Sequence, residues 1–299
     1  MLSHTNNLLI HSTGLFPQNI TLNNIIMLYL KSYCYSKHEL PFIIANLDEG
    51  FNHIDKLILY EYNFTHTGLP KEYEIEKVLH LIPENLKTKL LYKKIDLTNY
   101  TEYAVNDENT CHQVNENIQR SWLFNDDEII LQDDDIIIDI DIDEIVYASS
   151  YDDLILELNK ANKPISIKLN QFFFKNTYLW SNLIFDAPAI YKYKMVRNMN
   201  KTVKGVVCKY QRYCSHKTSK IYGCHMSWVM PVDDMLKKIY SGAHTKYHHL
   251  GKREILEKAI EDKKYVFDLK RPFDIIELNI TDVRIPTTLQ RVELFDFLS

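Results

Sequence analysis

The chain has 299 residues, a formal net charge of −5 and 45% hydrophobic residues, enough for one large core without disulfide or metal staples. Seven glycines and nine prolines are too few for flexible linkers, collagen-like repeats or Pro-rich disorder. Thirty-five Lys and Arg against forty Asp and Glu, with no long basic stripe, argue against nucleic acid as a partner.

Residues 1–31 carry no cationic segment followed by an apolar core, and the apolar run 25–30 is far short of the ~20 residues that cross a bilayer. No membrane span is expected, and residues 25–30 read as a first strand. Leu40, Ile43, Ile44, Leu47 and Phe51 recur at three- and four-residue spacing, which predicts a helix over 39–52 with Pro41 in its first turn. A second strand is predicted over 54–60. Pro83-Glu84-Asn85 opens a short helix leading into a third strand near Leu90, and 108–124 reads as a helix lying over the sheet. This rhythm predicts an α/β fold, a mixed central sheet flanked by helices in a single domain over 1–299, with 265–299 as a C-terminal extension. The five scattered cysteines, Cys34, Cys111, Cys208, Cys214 and Cys224, fit free thiols in a reducing compartment, so a cytoplasmic location is expected.

The most informative segment runs from Asp133 to Ile145 (DDDIIIDIDIDEI). It reads as a buried strand that ends in carboxylates. Asp139, Asp141 and Asp143 would share one face if the strand continued, and clustered anions repel unless a cation offsets them. The alternative is a solvated acidic turn. An EF-hand is excluded, because the sixth position from Asp139 is Glu144 and the twelfth is Ser150, where Gly and Glu are required. Oxygen ligands without clustered Cys point to Mn²⁺ or Mg²⁺, and the end of a central α/β strand is where ligands sit.

Several blocks together resemble glycosyltransferase family 17, the family of the bisecting β-1,4-mannosyl-glycoprotein N-acetylglucosaminyltransferase and its bacterial and viral relatives. They are Glu61-Tyr62-Asn63-Phe64-Thr65-His66-Thr67-Gly68 with Lys71 beyond, Glu116-Asn117-Ile118-Gln119-Arg120, and Asp141-Ile142-Asp143-Glu144-Ile145. Gly223-Cys224-His225-Met226-Ser227-Trp228 and Ser241-Gly242-Ala243-His244 complete the set. Val146, Asp139 and Cys224 depart from the family pattern, which usually has Pro, an apolar residue and Trp there.

The resemblance implies a GT-A-type domain, a UDP-sugar donor, possession of a divalent metal and inversion at the anomeric carbon. It implies donor contacts from Glu61, Thr65, His66, Lys71, Arg120 and Asp141, although Glu61 could equally satisfy backbone amides at a turn. Asp141 and Asp143 would hold the metal. His225 and His244 compete for a third ligand position; His244 is assigned to the metal, and His225 with Asp233 to catalysis, while Asp233 and Asp234 also suit the first turn of a helix after Pro231. Phe172, Phe173 and Phe174 are expected in the core, and Trp180 and Trp228 are candidates for an acceptor site.

The expected function is a metal-dependent inverting glycosyltransferase acting on a glycan or other hydroxyl acceptor. A Mg²⁺-dependent phosphohydrolase or nucleotidyltransferase, and a non-catalytic glycan-binding protein, are the alternatives. Heavy use of Ile, Asn, Lys and Tyr suggests an AT-rich genome and a bacterial or large-DNA-virus source.

Overall fold

The computed structural model describes residues 26–100, 111–199, 201–203, 206–208, 212, 214–242, 245–268 and 270–291. In chain order the elements are β1 (Leu28–Cys34), α1 (Leu40–Gly50), β2 (Lys56–Tyr62), α2 (Glu84–Lys87), β3 (Leu90–Ile95) and α3 (Cys111–Ser121). Then follow β4 (Ile136–Asp139), β5 (Glu144–Val146), α4 (Tyr151–Ala161), β6 (Ile165–Phe173), β7 (Lys175–Phe185), β8 (Ala189–Lys192) and α5 (Tyr193–Val196). A two-stranded ribbon, β9 (Lys201–Val203) and β10 (Val206–Cys208), precedes β11 (Lys217–Ser227), α6 (Val232–Ser241), α7 (Arg253–Glu261) and β12 (Ile275–Glu277).

The main sheet has the order β12-β7-β6-β8-β4-β1-β2-β3, with β11 pairing both β6 and the short β5. β4, β1, β2 and β3 are parallel neighbours, β8 is antiparallel to β4 and β6, and β11 is parallel to β6. β1, β2, β4, β6 and β11 therefore all point the same way. This is the mixed α/β sheet flanked by helices that the sequence rhythm predicts.

Alternation along the strands divides the core between the two faces. Leu57 and Leu59 of β2 and Ile136 and Ile138 of β4 join α1 and α4 residues such as Leu47 and Leu154 in one cluster. Ile58, Tyr60, Tyr62 and Ile137 meet Val114 and Ile118 of α3 on the other face. A third, aromatic cluster holds Phe173, Phe174 and Trp180 against Met235 of α6 and Leu256 of α7. Phe172, at 0% exposure, is core as expected.

Two strand boundaries differ from the sequence reading for one reason. The first strand runs to Cys34 rather than Leu30, and the second to Tyr62 rather than Tyr60, because Lys31 and Glu61 sit inside them as buried, paired charges. A lone charge ends an apolar run in sequence, but a partner from a distant element lets the strand continue. The predicted helix 108–124 is α3 followed by a 3₁₀ turn at Trp122–Asn125; residues 108–110 lie outside the described residues.

The segment beyond residue 265 packs back on the sheet. β12 pairs antiparallel with β7, Tyr147 donates to the carbonyl of Arg284 at 2.7 Å, and Thr288 donates to Asp48 at 2.6 Å. Cys34, Cys214 and Cys224 are buried. Among the described residues, no helix is long and apolar enough to cross a membrane.

Candidate active site

The carboxyl ends of β1, β2, β4, β6 and β11 open on one cleft of about 670 Å³. From β1 the chain delivers Tyr35, Ser36, His38 and Glu39; from the loop after β2, His66; after β4, Asp141 and Asp143; at the ends of β6 and β11, Phe173 and Trp228. This is where an open α/β sheet binds ligands, because the connections diverge there and leave a crevice.

The two aspartates sit on a tight turn. β4 ends at Asp139, Glu144 N–H donates to the Asp141 carbonyl at 2.9 Å, and the Glu144 carboxylate accepts from Asp141 N–H at 2.7 Å. Met226 N–H of β11 donates to the Asp143 carbonyl at 2.7 Å, and the Asn46 amide of α1 donates to the Ile142 carbonyl at 2.9 Å. Ile140 and Ile142 point into the core. The turn is thus clamped from three elements, and its carboxylates face the cleft.

Asp139 does not share their face, which corrects the expectation of three aligned carboxylates. It is 1% exposed, accepts from Lys31 Nζ at 3.1 Å and from Tyr191 Oη at 3.3 Å, and belongs to the core below the site. Lys31 also donates to the carbonyl of Arg120, tying the end of α3 to the strand before the turn.

Asp141 is held by two guanidinium groups. Arg120 reaches it at 2.7 Å and 3.3 Å while also pairing with Glu116 at 2.9 Å, and Arg212 reaches it at 2.6 Å while pairing with Glu144. Burial opposes its ionisation, but Arg120 and Arg212 outweigh it and hold the carboxyl below the usual range. Glu144 goes the other way: burial pushes it up to about 8, with Arg212 opposing.

Asp143 has a different environment. Its nearest nitrogens are Lys238 Nζ and His225 Nε2, each at 3.6 Å, beyond hydrogen-bond length. β11 lies between β5 and β6, with His225 in register with Glu144 on one side and Gln171 on the other. That close crossing requires Gly223, where a Cβ would stand 2.0 Å from the Ile145 carbonyl oxygen. The Gln171 amide nitrogen donates to the Phe172 carbonyl at 2.7 Å, so its oxygen faces His225 Nδ1 at 2.9 Å and accepts a proton from it. With Nδ1 so engaged, the neutral tautomer of the ring presents its Nε2 lone pair to an Asp143 oxygen. Two electron-pair donors facing each other at this distance suit a shared cation. Among the described residues, no group of three or more His, Cys, Asp or Glu side chains could hold a metal, so a cation here would complete its shell with substrate and water oxygens, as hard divalent ions do at phosphate sites.

Of the residues singled out in the sequence, His66, Arg120, Asp141, Asp143 and His225 line the cleft. Glu61, Thr65 and Lys71 are not among its lining residues. The Glu61 carboxylate, 0% exposed, accepts from the backbone of Glu74 and Ile75, from Tyr92 and from Lys71, the turn-satisfying role that was its alternative. Thr65 Oγ1 accepts from Leu69 N–H at 3.0 Å and shapes the 65–68 turn. Asp233 is also absent from the cleft wall: it pairs with Arg253 at the surface, whereas its neighbour Asp234 is buried and lines the cleft. His244 lies outside the described residues.

Two of the recognised blocks recognise each other. Asn115 donates to the His66 carbonyl at 3.0 Å, and Gln119 to that of Phe64 at 3.1 Å, so α3 holds the Thr65–His66 loop while Arg120 is aimed at Asp141. The His66 ring packs between Tyr33 and Tyr35, with centroids 5.9 and 4.8 Å away.

His38, Glu39, Gln171, Arg212 and Lys238 were not found from sequence. The local signal that could have drawn attention to Glu39 is its capping-box spacing from Ser36; its carboxylate accepts from Ser36 N–H at 3.2 Å and from Tyr35 N–H.

Burial holds the imidazoles of His38 and His66 down to about 4, with Asp234 opposing at His38 and Glu116 at His66. The unfolded chain takes up protons at these rings as pH falls through about 6.5, and the folded chain does not. Stability therefore falls with pH between about 6.5 and 4, at up to about 1.4 kcal/mol per pH unit for each ring. Burial moves Glu39 up to about 7 and Glu144 up to about 8, so between pH 6.5 and 4.5 the folded state holds two protons that the unfolded chain has not yet taken up, and these offset most of that slope. The melting temperature is expected to stay nearly level from pH 6.5 to 4.5 in the wild type and to rise over that interval in His38→Gln/His66→Gln, where only the Glu39 and Glu144 protons remain; the same profile in both proteins would contradict the assignment.

No protein-family model matches the sequence, and no curated protein matches it. Among solved structures, the apo form of mouse xyloside xylosyltransferase 1 aligns with a TM-score of 0.26 and 13% identity over 51% of this chain. The alignment covers 55% of that protein, so the chain spans about half of its length. The likeness to glycosyltransferase family 17 thus rests on the sequence blocks themselves.

Proposed function

We propose that the protein is an inverting glycosyltransferase of GT-A type that moves a sugar from a UDP-sugar to a hydroxyl acceptor. The observation that carries this reading is the clamped Asp141–Asp143 turn at the ends of parallel strands, opening on a cleft whose other half is aromatic. A carboxylate end suits a metal-bound diphosphate, and an aromatic end suits sugar rings.

Asp143 with His225 would hold Mn²⁺ or Mg²⁺, and Asp141, already neutralised by two guanidiniums, would orient them. When bound, the cation screens the negative charge that grows on the departing diphosphate. Lys238, 3.6 Å from Asp143, adds a positive charge at the same place, and Arg120 offers a guanidinium to phosphate oxygens. The acceptor's hydroxyl proton passes to Glu39, which lines the cleft and whose raised affinity for protons, to about 7, matches it to neutral pH as a base. This assignment replaces Asp233 and leaves His225 to the cation.

Incubation with UDP-sugars, Mn²⁺ and a pool of glycosides tests the reading. A product one sugar heavier, with its anomeric configuration inverted by NMR, is expected. Release of inorganic phosphate from nucleotides without sugar transfer would favour a phosphohydrolase instead.

A further inference from the structure

The two halves of the cleft differ in how their cations are balanced. Around the Asp141–Asp143 turn each cation has a carboxylate: Arg120 has Glu116 and Asp141, Lys238 has Asp143, and Lys237 has Asp234. In the aromatic half, Lys246 and Arg271 line the same cleft, and among the described residues neither forms an ion pair. Each is seated on rings instead. The Arg271 guanidinium carbon lies 4.9 Å from the Trp180 ring centre and 5.6 Å from that of Tyr265, and Lys246 Nζ lies 4.8 Å from that of Tyr247.

The rings form a continuous wall. Trp228 and Phe267 have centroids 4.7 Å apart, Tyr247 and Phe267 4.9 Å, and all three are partly exposed. Trp228 is held there by a left-handed backbone, φ 60°, which residues other than glycine rarely adopt. Trp180, by contrast, is only 3% exposed and donates to the Pro272 carbonyl, so it serves as a base for Arg271.

A sugar ring lies its C–H face on such a wall, and a guanidinium fixed on aromatic rings beside it presents its fork to a carboxylate or phosphate. We infer that the aromatic half of the cleft receives an acidic acceptor, a glycoside whose ring rests on Trp228 and Phe267 and whose anionic group is met by Arg271 and Lys246. The inference rests on the transferase reading and names the acceptor class for it.

Binding of methyl glucoside, methyl glucuronide and glucose 6-phosphate, followed by tryptophan fluorescence at low salt, tests it. The glucuronide or the phosphate is expected to bind at least about 10-fold more tightly than the glucoside, and the better of the two identifies the anionic group. Arg271→Gln/Lys246→Gln is expected to bring that affinity down to the glucoside level while UDP with Mn²⁺ binds as before. Equal binding of all three sugars, or a double variant that keeps the preference, overturns the inference. Equal loss of UDP affinity assigns the two cations to the donor and overturns the acidic acceptor alone. A wild-type protein that binds no UDP with any metal overturns the transferase reading and this inference with it.

Discussion

Asp143→Asn is expected to lower sugar transfer by at least about 10³-fold, because the carboxylate carries the charge that a divalent cation needs and cation stabilisation of a leaving diphosphate is worth several kcal/mol. The fold should hardly notice. Asn is isosteric, the Asp143 carbonyl keeps its bond from Met226, and the neighbouring Lys238 and His225 nitrogens stand 3.6 Å away, too far to form hydrogen bonds. A melting temperature within a few degrees of wild type, together with lost metal-dependent nucleotide binding, is the expected pair of readings. Wild-type turnover in this variant would remove Asp143 from the site.

Lys31→Met should have the largest effect on stability. Burial lowers the pKa of the Lys31 ammonium, with Asp139 opposing, and both side chains are 1% exposed. Removing the ammonium leaves the Asp139 carboxylate buried with Tyr191 as its remaining hydrogen-bond donor. An uncompensated buried charge of this kind costs about 3–5 kcal/mol, a fall of roughly 10 °C in melting temperature for a chain of this size. The double variant Lys31→Met/Asp139→Asn should recover much of the loss, since the amide oxygen still accepts from Tyr191 and no charge remains. Denaturant melts of the two variants check this; a double variant no more stable than the single one would show that the ion pair is not the source. The Lys31 bond to the Arg120 carbonyl also predicts that Lys31→Met weakens nucleotide binding.

Periodicity and turn residues are local, so the sheet rhythm, α1 with Pro41 in its first turn, the short helix before β3 and the triple-Ile strand could all be read from the sequence. Buried charges are not local. Lys31 and Glu61 marked strand ends in sequence because their partners, Asp139 and the 71–75 segment, are supplied only by folding. The same holds within the site. Asp141, Asp143, Arg120, His66 and His225 were found because they stand in compact blocks, while Gln171 and Lys238 acquire meaning only through strand register and helix placement. Glu61 and Thr65 show the converse. They stand in a block that resembles a donor site, yet the Glu61 carboxylate is taken up by Lys71, Tyr92 and the backbone of the 74–75 segment, and the Thr65 hydroxyl by the turn that carries His66.

The central claim is that the Asp143–His225 end of the cleft binds a nucleoside diphosphate through a divalent cation. Its most direct test is the melting temperature of the wild-type protein with UDP or a UDP-sugar, in Mn²⁺ and in EDTA. A ligand at 100 times its dissociation constant adds about 2.7 kcal/mol, so a clear upward shift is expected with UDP and Mn²⁺ together, and none with UDP in EDTA. The same upward shift in EDTA, or no shift with any nucleotide and metal, would contradict it.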